Sequence, residues 1–288
     1  MTRDVLMVYK KTHEPVHDES LAAVRGTLEE FVTDGRVRLD VKAREKVSRA
    51  DFIGRDLVII LGGDGTLTSI SHNIDSSTPV MGVNSHPRDD DPNGSLGFFM
   101  DSTVDTFPAD LEAALAGEAI VNSLPRLQAT ITSTSGNKIV SDPALNDLLV
   151  ANTHQYAPSK YRLQRGEIDL EQHSSGLLFS TYVGQGAWFA HIADSSEVAI
   201  AEDEIDSHYL VVARDLYRAE RGAHREAYIA WTNEVTVLTS DMHRGYVVPD
   251  GWDEYHFNRG ATISVSLDAP RLNLLTFKGK ITDKMQRK

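Results

Sequence analysis

The chain has 288 residues, 41% of them hydrophobic, and carries a formal net charge of −13 at pH 7. That length holds one large domain or two ordinary ones with a real core, and that charge repels nucleic acid and anionic membranes as partners. It also repels nucleotides, so an anionic substrate needs a local basic patch. There are no cysteines, which excludes disulfides, thiolate zinc sites and a cysteine nucleophile. No apolar run approaches the ~20 residues of a membrane span. Met1 to Lys10 has no signal-peptide architecture, so a soluble cytoplasmic protein is expected.

In chain order, Asp4 to Tyr9 reads as a buried strand. Lys10 and Lys11 follow at its carboxyl end, where open α/β sheets bind ligands; Lys10 there offsets phosphate charge, or is a solvated turn residue. Ser20 to Val32 places Leu21, Val24, Leu28 and Phe31 on one helical face, with Ser20 as expected N-cap. Val37 to Ala43 alternates as a strand. Leu57 to Leu61 is apolar throughout, the pattern of a strand buried on both faces of a parallel sheet.

That run leads into Gly62-Gly63-Asp64-Gly65-Thr66, with a helix expected over Leu67 to His72. A strand, a bare glycine turn and a helix N-terminus make a seat for phosphate, which makes Gly62, Gly63, Gly65 and Thr66 candidate ligand residues. An acid in such a seat repels phosphate unless a cation or a hydroxyl proton lies between them. Asp64 is therefore the candidate general base, taking a proton from an alcohol during phosphoryl transfer. The competing reading makes it a helix cap. Neither a Walker lysine nor a dinucleotide glycine fingerprint is present.

Pro79 to Asn84 is the next strand, and Ser85 to Ser95 a polar loop at its carboxyl end. His86 with Asp89, Asp90 and Asp91 is not read as a metal site, because loop acids are usually solvated and Pro87 and Pro92 restrict the geometry. Arg88 is the candidate phosphate partner there. Phe107 to Ala116 forms an amphipathic helix closed by Gly117. From Ala129 to Leu267 short β-rich segments alternate with turn residues, the spacing of a sandwich.

The fold expected is α/β plus all-β: an α/β domain with a Rossmann-like parallel sheet over 1–103, a β-sandwich over 104–270, and a C-terminal segment, 271–288. In that last segment Asn273 to Lys278 is apolar and free to return to the α/β domain. Within the β-rich half, Asn146 and Asp147 suit the two hydroxyls of a ribose, or form an Asx turn. Gly184 and Gly186 permit close backbone approach, and Trp188 and Phe189 offer flat rings to a base, or belong to the core. Pro249-Asp250-Gly251 is a tight turn.

Taken in order, Gly62 to Thr66, Gly82 to Asn84 with Leu96 to Phe98, Leu145 to Asp147, Ser180 to Trp188 and Asp250-Gly251 resemble the NAD kinase family. The opening Val8 to Thr12, Gly82 to Pro87, Ser174 to Leu177, Ala187-Trp188 and Val211 to Asp215 resemble its mitochondrial branch of animals. The resemblance implies NAD bound between an α/β and a sandwich domain. It also implies phosphorylation of the adenosine ribose 2′-hydroxyl by ATP with Mg²⁺, and a homodimer. Asp64 would be the base, and Asn146 and Asp147 would hold ribose hydroxyls. Ala187 and Trp188 would line the nucleoside pocket, and Asn84, Thr181, Gly186 and Asp250 would belong to the same site. The family's usual Thr-Pro-Thr-Gly-Ser-Thr-Ala-Tyr turn is Thr181 to Trp188 here, with fewer hydroxyls, and the acid of its Gly-Asp-Gly is Ser175. Both changes touch substrate recognition and leave NADH, another nucleoside-like or small alcohol, or a catalytically silent NAD sensor as alternatives. Polyphosphate remains an alternative donor.

Overall fold

A computed structural model describes residues 2–12, 14–89, 91–193, 198–217 and 225–286. The elements begin with β1 (Arg3–Tyr9), α1 (Pro15–Thr33), β2 (Val37–Ala43), α2 (Arg49–Phe52), β3 (Leu57–Gly62), α3 (Asp64–Ser71) and β4 (Pro79–Asn84). They continue with β5 (Ser102–Thr103), α4 (Phe107–Ala116), β6 (Ile120–Leu124), β7 (Gln128–Thr132), β8 (Lys138–Val140), β9 (Asp147–Asn152), β10 (Ser159–Arg165) and β11 (Ile168–Ser174). The last are β12 (Leu177–Ser180), β13 (Tyr209–Ala213), α5 (Arg225–Tyr228), β14 (Ile229–Thr232), β15 (Thr236–Ser240), β16 (Gly245–Pro249), β17 (Tyr255–His256), β18 (Thr262–Ser266), β19 (Leu272–Thr276) and α6 (Ile281–Gln286).

The chain forms two compact units, Met1–Leu124 with Arg271–Lys288, and Pro125–Pro270. The boundary thus lies after Leu124 and not near Thr103. α4 packs Phe107 and Leu111 into the first unit's core, and β6 pairs with β19 in the same sheet, so neither can belong to the sandwich.

The first unit is built on the sheet β2-β1-β3-β4-β19-β6, with β5 beside the end of β4. All its pairings are parallel except β19 with β6. Val5 to Val8 and Leu57 to Leu61 are buried, as strands covered on both faces must be. The register sets Tyr9 beside Leu61 and Gly62 beside Asn84, so β1, β3 and β4 end at one edge. Two backbone bonds extend that alignment past the strands, from Lys10 N–H to Leu61 O (3.1 Å) and from Ser85 N–H to Gly62 O (3.1 Å). Helix α1 begins five residues before the expected Ser20 cap, because extended Glu14 and Pro15 open it. Ser20 lies inside it, its hydroxyl donating to the Val16 and Ser85 carbonyls (both 2.8 Å).

The second unit comprises two antiparallel sheets, β11-β10-β15-β18-β7-β8 and β14-β13-β12-β9-β16-β17. One core cluster takes Leu163, Leu238, Ile263 and Ile131 from the first and Leu148, Val150, Phe179, Val211 and Val247 from the second. That is the arrangement of a sandwich.

Candidate functional site

In the first unit Asp64 opens α3 directly, three residues before the expected start, with Gly63 as N-cap. Its carboxylate does not cap the helix. Oδ1 accepts from Phe99 N–H (2.8 Å) and Oδ2 from the Ser95 hydroxyl (3.3 Å), while Asp64 N–H donates to Ser95 Oγ (3.2 Å). Glycines make that route possible. A Cβ at Gly82 would lie 2.6 Å from Phe99 O, and one at Gly63 would lie 2.9 Å from Ser95 Cβ. A Cβ at Gly62 would lie 2.3 Å from Thr66 Oγ1, whereas Gly65 faces open space.

Half-buried Asp64 lines a cavity of about 400 Å³ with Lys10, Glu14, His17, Arg44, Gly63, Gly65, Thr66, Asn84, His86, Asn93, Gly94 and Ser95. Lys10 and Arg44 supply positive charge there, against the sign of the whole chain. Asn84 is buried and mainly organises the loop: its Oδ1 accepts from His86 N–H (3.2 Å) and its Nδ2 donates to Ser95 O (3.2 Å). Arg88 does not share the Asp64 cavity. Its Nε donates to Gly94 O (3.1 Å), and it lines a separate space of about 320 Å³ with Lys278 and Lys284. Among the loop acids, Asp91 meets His86 Nε2 at 3.1 Å, Asp89 lines the Arg88 cavity, and Asp90 lies outside the described residues. Burial and the charge of Lys10 hold the His17 imidazole below its ordinary value, with Glu14 opposing them.

In the second unit the turn Leu145-Asn146-Asp147 is gripped from two directions. The buried Asp250 carboxylate accepts the N–H groups of Leu145 (2.6 Å), Asn146 (2.8 Å) and Asp147 (3.1 Å). Asp250 (φ 47°) and Gly251 (φ 74°) are both left-handed, which turns the chain back over Asp147. The buried Thr181 hydroxyl donates to Leu145 O (2.6 Å), and Thr181 N–H to Asn146 O (2.9 Å). Gly184 lies so close that a Cβ there would come 2.1 Å from Asn146 O. Asp250 and Thr181 therefore hold the turn in place.

Among the described residues, Asn146 Oδ1 on that turn is buried and has no hydrogen-bond partner. The Asp147 carboxyl is pushed up to about 7 by burial and by the charge of Asp250, and Asp250 is itself raised to about 6 by burial, despite its N–H donors. Gly186 ends a short 3₁₀ turn with Ala187 as its cap, and Trp188 is partly exposed with the Arg214 guanidinium 4.7 Å over its ring. Phe189 is fully buried with Leu178 and Leu210, so it belongs to the core and offers no ring to a base.

Sequence reasoning missed Arg44, Ser95, the Phe99 N–H and the Glu14–His17 pair. Arg44 follows β2 at the same sheet edge that nominated Lys10, so the strand-end rule applied to β2 would have found it. The others depend on contacts between segments far apart in the chain.

Fold and site together define a two-unit protein, a parallel-sheet α/β unit with an acidic glycine turn in a basic-walled cavity, and a β-sandwich unit. Residues 9–119 match the family model of the ATP-NAD kinase N-terminal domain. The chain is 33% identical to the NAD kinase of Nitrosomonas eutropha over 165 residues, covering 54% of this chain and 48% of that relative. It is 29% identical to a probable NADH kinase of Oryza sativa subsp. japonica over 247 residues, covering 76% and 70%. The match to the first of these thus spans about half of the relative's length. The fold also matches an NAD kinase from Archaeoglobus fulgidus in complex with ATP, with TM-score 0.71, 15% identity and coverage of 99% and 98%. It matches yeast NADH kinase complexed with NADH at TM-score 0.75, 14% identity and coverage of 99% and 86%. The chain is thus similar to NAD kinases in sequence over residues 9–119 and in fold over nearly its whole length.

Proposed function

We propose that the protein transfers the terminal phosphoryl group of ATP to the 2′-hydroxyl of the adenosine ribose of NAD, giving NADP. The observation that carries this is the Asp64 carboxylate. It sits at the opening of a helix in a glycine turn, is fixed by Phe99 N–H and the Ser95 hydroxyl, and faces a cavity walled by Lys10 and Arg44. Asp64 takes the hydroxyl proton as the oxygen attacks phosphorus, and the bond from phosphorus to the leaving diphosphate breaks. Gly65 leaves room for phosphate to approach the backbone, and Lys10 and Arg44 balance its charge.

On the second unit, Asn146 Oδ1 and the Asp147 carboxyl are the groups that accept ribose hydroxyls. Trp188, steadied by Arg214, offers a ring to a base. Mg²⁺ enters with the triphosphate and spreads its charge. The Asp64 cavity contains the oxygen donors a hard cation takes, in Asp64, Asn84 and Ser95. A cytoplasmic homodimer completes the proposal. Edge strand β8 exposes Ile139 and Val140, an apolar strip of the kind that pairing covers.

The test is direct: ATP, Mg²⁺ and NAD with purified protein yield NADP, and absence of NADP at high protein concentration rejects the reading. A second acceptor, NADH, is favoured by the altered Thr181 to Trp188 turn and by likeness to a probable NADH kinase and to yeast NADH kinase. Parallel assays with NAD and NADH separate the two.

A further inference from the structure

Glu14, His17 and His86 lie on the wall of the Asp64 cavity, and the sequence alone gave no reason to join them. Glu14 is the residue before α1 and His17 lies three positions on, so both face one side of the helix start. His86 follows β4, which the sheet register brings to the same edge. One donor atom from each of the three lies within 4.8 Å of every other. His17 Nε2 is 3.1 Å from Glu14 Oε2, and the His17 and His86 rings meet edge to face at 5.8 Å between centroids.

We infer that this triad is a binding site for a borderline-soft divalent metal ion, Zn²⁺ above all, held by two imidazoles and one carboxylate. Metal–ligand bonds of ~2.0–2.2 Å put neighbouring donors roughly 3–4 Å apart, so small side-chain rotations bring the three into one shell. The His17 ring is already oriented, while His86 Nε2 lies 3.1 Å from Asp91 Oδ2. His17 Nδ1 lies 2.6 Å from Ser85 Oγ, which leaves Nε2 as the ligand atom when Nδ1 carries the proton. The His86 backbone is pinned on both sides, its N–H on Asn84 Oδ1 (3.2 Å) and its carbonyl accepting Ser95 N–H (2.8 Å). A Cβ at Gly94 would lie 2.6 Å from His86 O, so the glycine is what lets this loop close.

Imidazole nitrogen selects zinc and its transition-metal neighbours over magnesium, which prefers an all-oxygen shell. Three protein donors leave a fourth position open, as in zinc sites that take up an exogenous ligand. Here that position opens on the space shared with Lys10, Asp64 and Gly65. A phosphate oxygen is the anion it fits, and this last point alone rests on the phosphate reading of the cavity.

The test uses the untagged full chain after dialysis against a chelator. Zn²⁺ is titrated by calorimetry and Co²⁺ by visible absorption. With no thiols in the chain, the Co²⁺ bands report only nitrogen and oxygen ligands. The expected result is one tight Zn²⁺ per chain, undisturbed by excess Mg²⁺. Glu14→Gln, on an exposed side chain that the fold does not need, weakens it by at least ~10-fold, and His86→Ala removes the tight site. Absence of tight Zn²⁺ binding in the parent, or binding that both variants leave unchanged, overturns the inference. Neither outcome depends on NADP formation, so the metal site and the kinase reaction stand or fall separately.

Discussion

Replacing Asp147 with Asn should make the protein more stable at neutral and alkaline pH. Asp147 is buried, and its carboxyl is pushed from the ordinary 3.8 up to about 7 by burial and by the charge of Asp250. The native state therefore holds this proton more tightly than the unfolded chain does. The contribution is most favourable below about pH 4 and is lost as pH rises towards 7. At ~1.4 kcal/mol per unit the loss reaches on the order of 4 kcal/mol at pH 8, against about 1 kcal/mol at pH 4.5. Asparagine has the same shape and no charge to desolvate. The variant should thus gain about 4 kcal/mol over the parent at pH 8, a shift of roughly 10 °C in the second unit's melting temperature, and the gap should shrink steeply at pH 4.5. Thermal unfolding followed at the two pH values measures it. Parallel pH profiles for parent and variant, or a variant less stable at pH 8, would refute the electrostatic reasoning. The same substitution should raise the KM for NAD, because an acceptor for a ribose hydroxyl is weakened, so stability and function move in opposite directions.

Asp64→Asn should lower kcat by about 10²–10⁴-fold, the range of a general base. Asparagine keeps an oxygen for Phe99 N–H, so stability should fall by no more than the ~1 kcal/mol of a weakened charged hydrogen bond. A variant turning over within threefold of the parent would remove the base assignment. Gly184→Ala should cost about 1–3 kcal/mol, because its Cβ meets Asn146 O at 2.1 Å and the turn must shift. Its KM for NAD should rise while that for ATP holds, and equal changes in both would count against the turn as the acceptor's seat.

Legibility in the sequence followed the range of the forces involved. β1, β3 and β4 were readable because buried parallel strands are apolar throughout, and the Gly62 to Thr66 turn because backbone exposure is a local property of glycine. The start of α1 was misjudged because Ser20 looks like a cap, while Pro15 and extended Glu14 carry the signal five residues earlier. β6 escaped notice, and the domain boundary with it, because the partner that makes Ile120–Leu124 a strand is β19, far along the chain. Asp250 read as a turn residue of the ligand site. Its carboxylate organises backbone more than a hundred positions earlier, and no local pattern announces such a bond. The Glu14–His17–His86 triad was invisible for the same reason: only the parallel register joins its two halves.

The first unit's sheet has a consequence for the order in which the protein is made. β19 lies between β4 and β6, yet it leaves the ribosome after the whole of Pro125–Pro270. The sandwich has every one of its strands in hand while the sheet carrying Asp64 still lacks the strand that joins β6 to β4, so the sandwich can mature first during translation and the half with the acidic turn is sealed last.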